Sequence, residues 1–216
     1  MDRVQRLDEA RSTPCVSFGG YVCAGQWLEA ALETLQRNGF TRQQFAEAVL
    51  VCLRHGRGKG RNLYLCGPTN CAKTFLLLPL TEIYTTFSCP GDGTYNWVSA
   101  PEKEVIFLND LRYEANGEHR VMAWGKFLNL LEGHKVNISR PKNHFDTDIE
   151  WTQRQPIFAT SDKRITRIKG GVVDDGETQP MAKRWKVLEF TKQYSDDEVK
   201  FDILPCGRCF AELILG

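Results

Sequence analysis

A short apolar stretch at residues 62–66 leads directly into the octapeptide GPTNCAKT at residues 67–74, and a mostly apolar stretch follows. A strand, a turn of inward-facing backbone amides and a helix start are the parts of a phosphate-binding loop. Such a loop also needs a lysine for the phosphates and a hydroxyl for Mg²⁺. The alternative is a chance strand–turn–helix that contains Lys-Thr. We favour the phosphate-binding loop and expect ATP and Mg²⁺ to bind at Gly67, Pro68, Thr69, Asn70, Cys71, Ala72, Lys73 and Thr74.

One position of this loop departs from the usual pattern. Glycine ordinarily precedes the lysine, whereas this chain has Ala72 before Lys73. If the backbone there needs a positive φ, alanine costs on the order of 1 kcal/mol. We therefore expect a strained but intact loop, in which Lys73 is a catalytic cation and Thr74 holds the metal.

Alternating helical and strand patterns surround the loop. Helical spacing at 27–37 ends at Asn38-Gly39, and a capping-box pattern at Thr41 and Gln44 opens a second helix at 42–55. Residues 1–25 show no period and are expected to be irregular. Later patterns predict helices at 75–84 and 121–132 and strands at 95–98, 105–108, 157–160 and 186–190. The expected fold is α/β: a P-loop core at 59–192 with a mainly parallel sheet flanked by helices, a small N-terminal helical bundle at 1–58, and a C-terminal extension at 193–216.

A second buried strand at 105–108 ends in the polar pair Asn109-Asp110. P-loop ATPases place an acid at this point, where it supports Mg²⁺ and polarises the attacking water. We assign Asp110 as general base or metal-linked acid, and Asn109 as a weaker catalytic support. The alternative is that Asn-Asp merely begins a turn.

Two further positions follow the same order. The strand at 157–160 runs into Ser161-Asp162, where a polar residue would sense the γ-phosphate. Asp162 is an unusual choice, because a carboxylate repels a phosphate unless a cation lies between them, so Ser161 or Thr160 is the alternative. Arg184 stands just before the last strand, and we expect it to neutralise γ-phosphate charge across a subunit boundary.

The net charge of +1 argues against a generally basic surface for nucleic acid, so any DNA contact must come from a local patch. No apolar run approaches the length of a membrane span, and the charged N-terminus is unlike a secretory signal. The eight cysteines are therefore interpreted as reduced thiols.

One cysteine pair, Cys206 and Cys209, has the spacing of half a zinc site. The other half would have to come from distant cysteines such as Cys15 and Cys23. Free surface thiols at a turn are the favoured interpretation of the pair.

The order of GPTNCAKT, VIFLND, FLNLLEGHKVNISRPKNH, QPIFATSD and QPMAKRWKVLEF resembles superfamily 3 helicases, most of all the helicase domain of parvovirus nonstructural replication proteins. The resemblance runs from about residue 59 to 190. It implies a core of the AAA+ ATPase type, a hexameric ring that moves along single-stranded DNA, work in viral DNA replication, and a location inside the host cell, in the nucleus.

The resemblance also implies a role for residues 131–144. In the family this segment forms a β-hairpin that contacts the DNA backbone in the channel of the ring. The matching cations here are Lys135, Arg140, Lys142 and His144. Closely spaced cations on a hairpin tip can follow phosphates without reading bases. A solvated basic loop is the alternative.

Three departures from the family pattern, Ala72, Asn109 and Asp162, all fall at the predicted nucleotide site. They leave open a second function, a module that binds nucleotide and DNA but hydrolyses poorly. A zinc-dependent adaptor that uses the C-terminal cysteines is a third. We favour the active ATPase and helicase.

Overall fold

Helices and strands alternate along the chain, which the computed structural model describes at residues 2–88, 96–113, 122–140, 147–195 and 202–216. The helices are α1 Arg3–Arg11, α2 Gln26–Arg37, α3 Arg42–His55, α4 Lys73–Leu77, α5 Leu80–Ile83, α6 Trp124–Glu132, α7 Asp175–Ala182 and α8 Gly207–Leu215. The strands are β1 Asn62–Cys66, β2 Thr86–Ser88, β3 Val105–Leu108, β4 Val136–Ile138, β5 Ile149–Trp151, β6 Ile157–Ser161, β7 Ile168–Lys169, β8 Val172–Val173 and β9 Trp185–Glu189.

Five strands form the central sheet in the order β2-β3-β6-β1-β9, and every neighbouring pair is parallel. Parallel strands end at the same edge of a sheet, so the segments after β1, β3 and β6 meet there. The remaining strands form two antiparallel hairpins, β4–β5 and β7–β8. The predicted fold class, a mainly parallel sheet flanked by helices, is confirmed.

Both faces of the sheet are buried, which explains why its strands have continuous apolar sequences. In β1, Leu63 and Leu65 face a core shared with α2, α3, α4 and α8. Tyr64 and Cys66 face the opposite core, which α6 and the β4–β5 hairpin complete. The strand thus separates two apolar layers.

The two predicted N-terminal helices are present as α2 and α3, including the reciprocal capping box of Thr41 and Gln44. The prediction of an irregular start was wrong, because residues 3–11 form α1. Only Leu7 is fully buried in that helix, with Val4 and Ala10 partly buried beside it. Charged residues surround this narrow stripe and hide its helical period.

Two other local predictions were wrong. The predicted helix at 75–84 is divided into α4 and α5 around Pro79, which lacks the N–H that a continuous helix needs. Residues 96–99 form a turn rather than part of a strand, and β2 is the edge strand instead. Tyr95 lies outside the described residues. No described helix combines the length and the apolar character needed to cross a bilayer.

The interpretation of Cys206 and Cys209 as surface thiols was also wrong. Both are buried at the start of α8, which packs against α1, α2 and α3. Because α8 is amphipathic and packs its apolar face on these helices, both cysteines are buried with that face. They lie beside Cys15 and Cys23.

Candidate functional site

The loop at residues 67–74 follows β1, and neighbouring backbone atoms tightly constrain its first residue. The Gly67 N–H donates to the Ser161 carbonyl at 3.1 Å, which joins the loop to the end of β6. A Cβ added at Gly67 would lie 1.9 Å from the carbonyl oxygen of Phe190. Only glycine fits there, so this residue sets the path of the loop.

The backbone then enters the left-handed region twice, at Asn70 (φ 57) and at Ala72 (φ 58). Asparagine tolerates this region better than other non-glycine residues, whereas alanine does not. The strain that the sequence anticipated at Ala72 is therefore present, at about 1 kcal/mol. The loop keeps its shape in spite of it.

Lys73 begins α4 with its side chain turned inward and only 8% of its surface exposed. Its Nζ donates to the carbonyl oxygens of Gly67 and Pro68, at 2.7 and 2.5 Å. Burial lowers the pKa of the ammonium, and nearby acids including Asp162 and Asp110 oppose that shift. The lysine is a fixed cation inside the loop.

A cavity of about 340 Å³ opens over the loop. This volume falls in the range of ligand pockets in proteins. The cavity wall includes the amides at the start of α4, and the first amides of a helix have no partner within it. Such a wall suits a polyphosphate. The lining residues are Thr69, Asn70, Cys71, Ala72, Lys73, Thr74, Phe75, Asp110, Arg112, Thr160, Ser161 and Asp162.

Asn109 lies directly against the loop threonine. The Thr74 hydroxyl donates to Asn109 Oδ1 at 2.6 Å, and the Thr160 hydroxyl donates to the same oxygen at 2.8 Å. The Asp110 N–H donates in turn to the Thr160 hydroxyl at 2.9 Å. The ends of three neighbouring elements, α4, β3 and β6, are thus linked through one amide oxygen.

Asp110 turns away from this network. Its backbone is left-handed (φ 52), and its carboxylate forms an exposed ion pair with Arg112 at 3.0 Å. Both side chains still line the cavity. Arg112 was not predicted from the sequence; its signal is a cation two positions beyond the predicted acid, in the loop at the same sheet edge.

Thr160, Ser161 and Asp162 reach the cavity from the end of β6, as the order of motifs predicted. The Ser161 hydroxyl donates to the Asp162 carboxylate at 3.3 Å. An anion in the cavity would meet the exposed Asp162 as well as Lys73 and Arg112, so the two cations have to offset the carboxylate.

Arg184 lies at the opposite edge of the sheet, just before β9. Its guanidinium donates to the carbonyls of Leu128 and Pro180 and forms an ion pair with Glu132 at 2.8 Å. The side chain is therefore held within its own chain. The role predicted across a subunit boundary stays a prediction, and it requires release from these partners.

The predicted hairpin is present in part, and its contact with DNA stays a prediction. The strands β4 and β5 pair antiparallel, and α6 continues to Glu132, so the hairpin begins later than residue 131. Lys135 is exposed and pairs with Glu150 at 3.3 Å, and Arg140 follows β4. Lys142 and His144 lie outside the described residues.

The fold and the site together define an α/β protein in which the loop at residues 67–74 lies at the carboxyl edge of a parallel sheet. No protein-family model matches the sequence, and neither does any curated protein. Among solved structures, the JC virus helicase is similar over the whole chain, with a TM-score of 0.63 and 14% identity. The same helicase bound to a thiazolopyridine-phenoxyphenyl acetamide gives a TM-score of 0.63 and 15% identity.

The C-terminal region of NrS-1, in an apo form, is similar over 96% of this chain, with a TM-score of 0.54 and 14% identity. The chain spans 62% of the JC virus helicase and 48% of the NrS-1 region. It therefore shares its fold with part of the JC virus helicase and part of the NrS-1 region.

Proposed function

We propose that this chain is the ATP-hydrolysing motor domain of a DNA helicase of the superfamily 3, parvovirus-like type. The observation that carries the proposal is the buried Lys73, fixed between loop carbonyls at the cavity, with Thr74 beside the polar ends of β3 and β6. An inward lysine at a helix start, next to a hydroxyl, is the arrangement that phosphate groups require.

Each residue of the site has a separate role in the proposed reaction. The loop amides and Lys73 would bind the phosphates, and the Thr74 hydroxyl and Asp110 would hold Mg²⁺, which supplies neutralisation of phosphate charge when bound. Asp110 orients the attacking water and accepts its proton. Arg112, which pairs with Asp110, fixes that carboxylate at the cavity wall.

The wider assembly belongs to the same proposal. A hexameric ring would bring Arg184 of one subunit to the nucleotide of the next, and the β4–β5 hairpin would present Lys135 and Arg140 to single-stranded DNA. The resemblance adds Lys142 and His144, which lie outside the described residues, to the expected DNA contacts. A hairpin of this kind binds backbone phosphates, so its affinity should fall steeply with salt. Replication in the nucleus of a host cell is the setting that this function suits.

The test compares Lys73→Ala with a matched lysine change, Lys59→Ala, at an exposed position. Binding of a fluorescent ATP analogue and release of phosphate are measured with and without single-stranded DNA, on protein whose oligomeric state is known from light scattering. We expect the wild type and Lys59→Ala to bind and hydrolyse ATP, faster with DNA, and Lys73→Ala to lose both activities. Equal nucleotide binding by all three proteins would refute the proposed site.

A second function, binding without hydrolysis, has one observation in its favour. The side chain that contacts Thr74 is the neutral Asn109, while the acid pairs with Arg112. In that case the wild type would bind the ATP analogue in a Lys73-dependent manner but release no phosphate, and DNA would not change this result.

A further inference from the structure

Four cysteine thiols from opposite ends of the chain lie side by side in the helical layer. Cys15 and Cys23 flank a short turn closed by a β-bridge, in which the Cys23 N–H donates to the Cys15 carbonyl at 3.1 Å. Cys206 directly precedes α8, and Cys209 lies in its first turn. The sulfur contacts join residues 186 to 194 positions apart, so the tertiary fold alone assembles the cluster.

The separations of the sulfur atoms match a tetrahedral metal site. Cys15 Sγ is 3.5 Å from Cys209 Sγ and 4.0 Å from Cys206 Sγ, and Cys23 Sγ is 3.7 Å from Cys209 Sγ. All four ligand atoms lie within 4.8 Å of one another. Zinc–sulfur bonds of about 2.3 Å in a tetrahedron place the sulfurs about 3.8 Å apart, whereas a disulfide requires about 2.05 Å.

The chemistry of the ligands selects the ion. Thiolates are soft ligands that favour zinc over Mg²⁺ or Ca²⁺. Four of them complete a tetrahedral shell, which leaves no position for a substrate and is typical of structural zinc. Three of the cysteines are buried and Cys15 is half-buried, so the protein shields the centre from water. The start of α8 adds the positive end of a helix dipole, which favours thiolates.

We propose that Cys15, Cys23, Cys206 and Cys209 bind one Zn²⁺ as a structural site that fastens α8 to the turn before α2. Binding converts four thiols to thiolates, and the four protons pass to solvent. Metal binding to the folded state alone contributes to the free energy of folding. None of these cysteines lines the nucleotide cavity, so the proposal does not depend on the ATPase function.

The test begins with the metal content of the full chain. Protein purified with Zn²⁺ and then dialysed is analysed by elemental mass spectrometry, beside the double variant Cys206→Ser/Cys209→Ser and the control Cys52→Ala. Cys52 is buried in the same core but lies outside the cluster. We expect one zinc per chain in the wild type and in Cys52→Ala, and background zinc in the double variant. A folded wild type without zinc, or a double variant that keeps it, would overturn the proposal.

Spectroscopy on the wild type covers the case in which the double variant does not fold. X-ray absorption at the zinc edge should show four sulfur neighbours at about 2.3 Å. Replacement by Co²⁺ should give the visible absorption of a tetrahedral thiolate complex, which a chelator abolishes. A coordination shell dominated by oxygen or nitrogen would show that zinc binds elsewhere and would refute the four-cysteine site.

Discussion

Arg57 carries a full positive charge inside the protein, and its replacement by methionine should destabilise the fold strongly. The side chain is fully buried and donates to four main-chain carbonyls: those of Gln153, Leu130 and His134, at 2.9, 2.9 and 2.6 Å, and that of Trp151, at 3.3 Å. Hydrogen bonds from a charged donor contribute about 1.5 kcal/mol or more each, so the set is worth roughly 6 kcal/mol.

The burial of the charge opposes this gain. Burial, with a smaller repulsion from Arg154, lowers the pKa of Arg57 to about 10 from an ordinary 12.5, which corresponds to roughly 3 kcal/mol against the charged form. The net expectation for Arg57→Met is a loss of about 3 kcal/mol in the free energy of unfolding. For a chain of this length, that loss lowers Tm by about 6–12 °C.

The assay is urea unfolding followed by fluorescence, with Arg54→Met as the matched control. Arg54 is exposed near the end of α3, three residues before Arg57, so its replacement should change the free energy of unfolding by less than about 0.5 kcal/mol. Arg57→Lys should fall between the two, because an ammonium has three donors and no planar fork. If Arg57→Met unfolds at the same urea concentration as Arg54→Met, the carbonyl contacts do not stabilise the protein and the reasoning fails.

Three further changes test the site and the hairpin. Gly67→Ala should abolish binding of the ATP analogue, because the added Cβ would lie 1.9 Å from a carbonyl oxygen. Gly125→Ala, in open space on α6, should instead stabilise the protein by about 1 kcal/mol. Similar effects of the two substitutions would contradict this geometry. Asn109→Asp should raise Mg²⁺-dependent ATP hydrolysis about tenfold or more, since it adds a charge beside Thr74, while the exposed Asn129→Asp should leave the rate unchanged. Arg140→Ala should weaken single-stranded DNA binding and reduce the magnitude of the slope of log affinity against log salt by about one. An unchanged slope would show that Arg140 does not contact the DNA backbone.

The parts of the fold that follow from local sequence were predicted well. The turn after β1 and the capping box of α3 depend on residues only a few positions apart, so their patterns are visible in one window. Several elements were not predicted, among them the short α1 and β2 and the helices α7 and α8. Leu7 is the one fully buried residue of α1, and its burial depends on α8, which lies far along the chain.

The site shows the same limit in its side chains. The juxtaposition of the ends of β1, β3 and β6 was correctly predicted, because parallel strands end at one edge of a sheet. It did not indicate that Asn109, rather than Asp110, contacts Thr74. That outcome depends on the left-handed turn at Asp110, a backbone conformation that few non-glycine residues adopt. The sequence offered Cys15 and Cys23 as partners of Cys206 and Cys209, but it did not show that the four lie side by side, because the two pairs are far apart along the chain.

The position of α8 has a consequence for how the chain folds as it is synthesised. Phe210, Leu213 and Ile214 of α8 belong to the same core as Leu7 and Trp27, so α1 and α2 lack part of the apolar surface that they pack against until α8 has left the ribosome. Contacts of such long sequence separation form slowly. The newly made N-terminal half therefore exposes apolar surface longest, and chaperone binding during translation should concentrate there.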